Sequence, residues 1–521
     1  MKCFFLCLAF FAATLQADNY FPEVELDELF VAVQLKPVFS DSKIFVDSNP
    51  KLDPAQILAL YRQNPAVDLD QFVNTYFYVH QFHPEDFFRD GREPMKEYIF
   101  RLWDLLERNS IQATQEVTTL IGLPNPYIVP GERFSEMYYW DSYFIMLGLG
   151  LSNRWELVEK IVENFAFLID RFGFIPNGNR TYYLTRSQPP FFSLMLNFYA
   201  EHFGVQKALR FLPQLEKEYA FWMEQRSAFQ GLNHYDDASD TPRPESYRVD
   251  VEKQGTAEFY RNVRATAESG WDFSSRWLDN MGTLQTIQIL PVDLNCVLYA
   301  HEKILADFYI WSGNEEQALQ FNQLAERRKE TIRDLFWNAQ AGFFEDFNFV
   351  TQSHTGRLTL AGVFPLLFQI ADESQATQVK DRLEQNFLKP GGLVTTLEDS
   401  GEQWDFPNGW APLQWVATIG LMNYGYNELA EEVMRRWLNM LNTQFLKTGR
   451  LLEKYNVVDL EIEAFGGEYA LQTGFGWTNA IALLFMHQLS QRNHNFLSNL
   501  KAKWIEPTWN ANLLSKKLKI H

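Results

Sequence analysis

Helical periodicity recurs along this chain in segments that are apolar on more than one face, and that property restricts the architecture more than any other. Trp155, Val158, Ile161, Val162, Phe165 and Leu168 fall at three- and four-residue spacing and stop at Gly173, the pattern of a helix ended by glycine. Comparable segments follow at 190–202 before Gly204, 206–226, 294–311 before Gly313, 315–337, 358–370, 373–387, 411–422 before Gly425, 427–445 and 477–489. A helix that is apolar most of the way round must be covered on both sides. An inner ring of helices inside an outer ring meets that demand, so the pattern predicts an all-α toroid. Strand patterns are few and short, as at 343–350, and no regular short repeat of the solenoid kind is present. No low-complexity linker divides the chain.

Charge narrows the partners. The 46 basic and 66 acidic side chains leave a net charge of −20, which repels phosphate backbones and anionic lipid surfaces, so neither nucleic acid nor a membrane surface is an expected partner. A neutral small molecule fits better. Aromatic residues make up 16% of the chain, more than a core alone requires, and Trp and Tyr faces are surfaces on which sugar rings lie.

Lys2, the apolar run 3–13 and the small Ala17 before Asp18 read as a secretory signal peptide, 1–17, too short to span a bilayer. Cys3 and Cys7 would leave with it, so the mature chain keeps only Cys296 and can form neither an internal disulfide nor a Cys-based zinc site. Export without disulfides suits a bacterial periplasm. The basic tail, 497–521, carries no lipid-anchor signal, and the sequon at Asn179 reads as coincidence.

Several familiar sites are excluded. Gly148-Leu149-Gly150 has Asn153 where a dinucleotide loop needs its last glycine, and its surroundings read as a helix end. No phosphate-binding loop and no Gly-x-Ser-x-Gly elbow occur. His80 and His83 have no carboxylate motif beside them and read as an ordinary solvated or packed pair. Cys296 lies in an apolar run and reads as a core thiol. No metal or cofactor is expected.

The connections between helices gather carboxylates, Arg and Trp with Gly and Pro. They include 130–141, 176–178, 186–188, 243–245, 268–272, 403–410, 453–455 and 466–469. Arg forks and amides match vicinal hydroxyls, carboxylates accept from them, and Trp faces cover the apolar side of a pyranose. Cleaving a glycosidic bond needs one protonated and one ionised carboxyl group, and no metal.

Pro130-Gly131-Glu132-Arg133-Phe134-Ser135-Glu136-Met137-Tyr138-Tyr139-Trp140-Asp141-Ser142-Tyr143 resembles the first trehalase signature, and Gln403-Trp404-Asp405-Phe406-Pro407-Asn408-Gly409-Trp410-Ala411-Pro412 resembles the second. Segments 41–47, 268–277 and 464–469 are similar to that family too. The resemblance implies an (α/α)6 barrel, a single catalytic domain over 18–521 with about 18–60 as an N-terminal extension packed on the barrel. It implies hydrolysis of α,α-trehalose by water to two glucose molecules, with inversion. A periplasmic monomer without a membrane anchor is expected.

Carried over by motif, Asp272 matches the family's general acid and Glu453 its general base. Substrate contacts are expected at Arg133, Trp140, Asp141, Asn177, Arg186, Ser187, Gln188, Arg243, Pro244, Glu245, Gly270 and Glu468. For an inverting pair the carboxyl groups should stand roughly 6.5–9.5 Å apart. Two departures stand out: Glu132 replaces a glycine and puts beside Arg133 a charge that could form a local ion pair with it and weaken its aim at a sugar, and Ala464-Phe465 replace glycines and stiffen the glycine-rich loop. Taken singly, Asp272 could cap a helix and Glu453 could form a surface ion pair with Lys454. Two other functions stay open on the sequence: an inverting glycosidase for a different α-glucoside, and a sugar-binding protein that has lost hydrolysis.

Overall fold

The computed structural model describes residues 20–36, 38–79, 87–109 and 117–490. The segment 1–17 expected to be a signal peptide, His80, His83 and the basic tail lie outside these residues.

Six helices among the described residues form a closed inner ring: Tyr139–Leu151, Phe192–Phe203, Val292–Ser312, Phe364–Leu367, Ala411–Asn423 and Gly476–Ser490. Each packs on the next, and the last returns to the first. Their composition explains their place. In Ala411–Asn423 every residue but the last is buried, and in Tyr139–Leu151 every residue but Gly150 and Leu151. Such helices cannot face water on any side.

The outer helices, Met95–Leu106, Trp155–Phe172, Leu212–Gln225, Glu315–Leu335, Glu373–Arg382 and Asn427–Thr448, bury one face only. Trp155–Phe172 ends at Gly173, whose φ of 84° closes the helix in the left-handed region. The fold is thus the all-α toroid that the periodicity predicts, with the (α/α)6 arrangement that the family resemblance implies.

Two segments depart from that reading. The stretch 358–370 yields a 3-10 turn, Leu360–Val363, and one short helix, Phe364–Leu367, because Pro365 sits near its start and Gly362 just before it. The stretch 206–226 breaks into Val205–Ala208, a 3-10 turn and Leu212–Gln225, with Pro213 at the restart. The strand pattern at 343–350 resolves into two short pieces, Phe343–Phe344 and Phe347–Asn348.

Residues 20–77 carry an apolar cluster of their own, including Leu29, Phe45, Ile57 and Phe77, which packs against Tyr138, Tyr182 and Tyr183 of the barrel. Cys296 is fully buried, as expected of a core thiol. Asn179 is also fully buried, its side chain bonded to Met137 N and Ile121 O.

Candidate active site

The long connections at one end of the ring line a pocket whose empty space, open mouth included, is about 670 Å³. It is lined by every residue singled out from the sequence except Ser187 and Pro244. Ser187 is turned into the wall: its N–H donates to Glu268 Oε1 at 2.8 Å and its hydroxyl to Ile175 O at 2.6 Å. Pro244 opens the 3-10 turn Pro244–Ser246, and its carbonyl accepts from Gln34 Nε2.

Asp272 follows Gly270, the left-handed cap of helix Ala257–Ser269. Gly270 has φ 74°, and a Cβ there would stand 3.0 Å from the Trp140 ring, so only glycine lets this turn press on that indole. The helix-cap alternative for Asp272 fails, because the turn that follows, Ser275–Trp277, is capped by Ser274. Burial pushes the Asp272 carboxyl up to about 7; Glu468 adds to the rise, while Arg243 and Arg186 oppose it.

Glu453 precedes the strand Lys454–Asn456, which pairs antiparallel with Asn408–Trp410 of the second motif, Trp410 opposite Lys454. It is buried, so it is no surface pair, and Lys454 Nζ lies 4.0 Å from its Oε2. The Tyr469 hydroxyl donates to Glu453 Oε1 at 2.8 Å. Burial raises the Glu453 carboxyl above its ordinary value, offset by Lys454, Tyr469 and Arg133. Asp141 is raised first by burial and then by the negative charges of Glu453 and Asp272.

The arginines are held by carboxylates. Arg186 donates from Nε to Asn177 Oδ1 at 2.9 Å and from Nη2 to Glu245 Oε1 at 2.6 Å. Burial alone would raise Glu245, but Arg186, Arg243 and Arg264 outweigh it and hold that carboxyl low. Arg243 grips Asp250 and reaches Glu468 at 2.8 and 3.0 Å, while Ser246 Oγ donates to Glu468 at 3.1 Å. Arg133 pairs with Asp41 of the N-terminal segment, where the sequence pointed to its neighbour Glu132.

Indoles make the apolar side. Trp404 and Trp410 stack at 3.8 Å with planes 1° apart, Trp271 stacks on Trp404 at 5.3 Å, and Trp140 and Trp477 meet them at an angle. Gln188 Oε1 accepts from Trp140 N at 3.2 Å.

Trp477, Tyr183 and Tyr469 also line the pocket; no contact was expected of them from the sequence, although Tyr469 lies in one of the connections singled out there. Tyr469 follows Glu468 directly, and a phenol beside a motif carboxylate is a signal that could have found it.

A family model described as Trehalase matches residues 37–490. The chain belongs to the trehalase family. This trehalase-family chain is 43% identical to a periplasmic trehalase of Escherichia coli O17:K52:H18 over 513 residues, covering 92% of this chain and 90% of that one. It is 42% identical to the periplasmic trehalase of E. coli strain SMS-3-5 over the same shares. In fold it resembles the neutral trehalase of Saccharomyces cerevisiae, with TM-score 0.63 and 24% identity, covering 92% of this chain and 96% of that one. A family 63 mannosylglycerate hydrolase from Thermus thermophilus shares the fold at TM-score 0.54 and 16% identity, covering 75% of this chain and all of the other. Among the described residues of this trehalase-family chain, no helix is long and apolar enough to cross a membrane.

Proposed function

We propose that this protein hydrolyses α,α-trehalose to two glucose molecules with inversion, Asp272 acting as general acid and Glu453 as general base. The observation that carries the reading is that these two buried carboxyl groups, differently partnered, line one pocket walled by stacked indoles and carboxylate-held arginines. The names of the relatives at 43% identity support the same substrate.

Each group suits its part. A carboxyl raised to about 7 still carries its proton near neutrality, so Asp272 can deliver it to the bridging oxygen as the glycosidic bond breaks and the electron pair goes to that oxygen. Arg243 and Arg186 favour the carboxylate that results. Glu453, favoured as the anion by Lys454, Tyr469 and Arg133, takes a proton from the water that attacks the opposite face of the ring. Exchange with solvent then returns a proton to Asp272 and removes one from Glu453. The indoles supply flat apolar faces, and Asn177, Gln188 and the arginines supply polar edges for the hydroxyls of a neutral disaccharide. Arg133, Trp140, Asp141, Ser187, Pro244, Glu245, Gly270 and Glu468 complete the proposed contact set, Ser187 and Pro244 acting from within the wall.

The signal-like segment 1–17 and the relatives named periplasmic support action in the periplasm; a single domain spanning 18–521 and a monomer are part of the same proposal. The test is proton NMR of the purified protein with α,α-trehalose, read before mutarotation mixes the anomers. Equal initial α- and β-glucose is expected. Only α-glucose would overturn the inverting roles, and no glucose would overturn the substrate.

A further inference from the structure

Lys454 is a buried cation, its side chain 1% exposed, that contacts none of the arginine-binding acids around the pocket. Its ammonium donates to Gln403 Oε1 at 2.6 Å and to the Gly466 carbonyl at 3.0 Å, and it lies over the Trp410 ring at 5.3 Å. An ammonium can only donate, so it turns the Gln403 amide one way: Oε1 toward Lys454 and Nε2 outward. That Nε2 donates to the backbone carbonyl of Asp272. The Gln403 backbone is fixed in turn, its carbonyl accepting from Asn408 Nδ2 and Trp410 Nε1, each at 3.1 Å. One short chain of bonds therefore runs from the strand beside Glu453, through Lys454 and Gln403, to the peptide of Asp272.

The glycine-rich strap 464–469 lies against the same pair. Gly466 and Gly467 have φ of 81° and 98°, and a Cβ on Gly467 would stand 2.6 Å from Gln403 Oε1 and 3.3 Å from Lys454 Nζ. A buried lysine is expensive to desolvate, and an apolar residue of its size would serve stability as well or better. What it does here is hold two segments and a strap at one point.

Resting on the trehalose-hydrolysis reading above, we propose that Gln403 and Lys454 are a positioning pair that fixes the loop of the acid Asp272 relative to the strand of the base Glu453. Neither touches the reacting atoms. They act through the peptide of one carboxylate and the chain neighbour of the other, so that both meet the same glycosidic bond. Lys454 also bears on the charge of Glu453, together with the other groups that act on or with it: Tyr469 from the strap, Arg133 from the first motif and Asp141 from the first inner helix, which Asp272 of the acid loop also faces.

The test compares the wild-type protein with Gln403→Met, Lys454→Met and the double variant, following glucose release from trehalose across pH, with thermal unfolding as the check on folding. In each single variant kcat should fall by about thirtyfold or more with KM within about threefold, as for a group that serves the transition state without binding the substrate. The double variant should be within about threefold of the worse single one, since residues acting as a unit are not additive. The acidic limb of kcat/KM should move to higher pH in Lys454→Met, a change that a merely structural residue would not cause. If Lys454→Met does not fold, Gln403→Met carries the test, because it leaves Lys454 its bond to Gly466. Folded single variants with wild-type kcat, or losses that multiply in the double variant, would overturn the pairing. Wild-type protein that releases no glucose from trehalose would remove the functional reading itself, and an active wild type beside unaffected variants would remove only the positioning role.

Discussion

Arg133 and Asp41, 92 residues apart, meet in a forked pair: Nε to Oδ2 at 2.5 Å and Nη2 to Oδ1 at 3.0 Å. The guanidinium also lies over the Tyr469 ring at 4.6 Å, and that phenol holds Glu453. The N-terminal segment is thereby part of the pocket wall. Replacing Asp41 by Asn keeps the shape and removes the charge that holds the fork. KM for trehalose should rise by about tenfold, equivalent to ~1.4 kcal/mol, the scale of one charge-assisted bond. Steady-state kinetics check this, and an unchanged KM would show that Arg133 is aimed without Asp41.

Asp272→Asn should lower kcat by about a hundredfold or more, as for a lost general acid. Folding should survive, because Gln403 holds the acid loop through the Asp272 backbone carbonyl, which Asn retains. Turnover and melting temperature measured on one preparation separate the two effects. Near-normal turnover would remove Asp272 from the acid role.

The pH profile should be bell-shaped. On the alkaline side kcat/KM falls as pH rises through about 7, because Asp272 loses the proton it must donate. On the acidic side it falls as Glu453 is protonated, above the ordinary value of about 4.3 because burial raises that group. The negative charge of Glu468 contributes to the rise in Asp272, so Glu468→Gln should shift the alkaline limb to lower pH. A limb that stays put or moves up would mean another group controls it.

Glu218 is fully buried and accepts from the Tyr139 hydroxyl, and among the described residues no cation pairs with it; burial raises it to about 8. The sign follows from proton counting. From about pH 4.3 to 8 the folded chain keeps a proton that the unfolded chain releases, so this group's contribution to stability is full below that window and is lost as pH rises across it. Glu218→Gln removes the dependence. The melting temperature of the variant should drop less than that of the wild type between about pH 5.5 and 8, and parallel curves from differential scanning calorimetry would refute the assignment.

Much of this was legible in the chain because it is local. The ring helices announce themselves by being apolar on all faces, as in 411–422, and Trp155–Phe172 by its stripe and glycine stop. The pocket residues lie within two continuous motifs and a few short connections. What could not be read is what forms between distant segments. Nothing adjacent to Arg133 points to Asp41, and the chain itself offers only the neighbouring Glu132 as a partner. The need for Gly466 and Gly467 becomes visible only when Gln403 is seen beneath them. The short helix at 364–367 is shorter than its apolar run suggests because Pro365 and Gly362 limit it, and those local breakers were outweighed by the hydrophobic pattern.

The ring closes when its final helix, Gly476–Ser490, packs on its first, Tyr139–Leu151, and the strand of Glu453 and the glycine-rich strap lead straight into that final helix. On the proposed roles, the catalytic pair is therefore completed late along the chain, since Glu453 and the ring-closing helix both follow Asp272 by most of the barrel's second half. A chain grown through only its first four hundred residues or so holds Asp272, Trp140, Trp271 and the three pocket arginines, yet neither Glu453 nor the helix that joins the two ends of the helical circle.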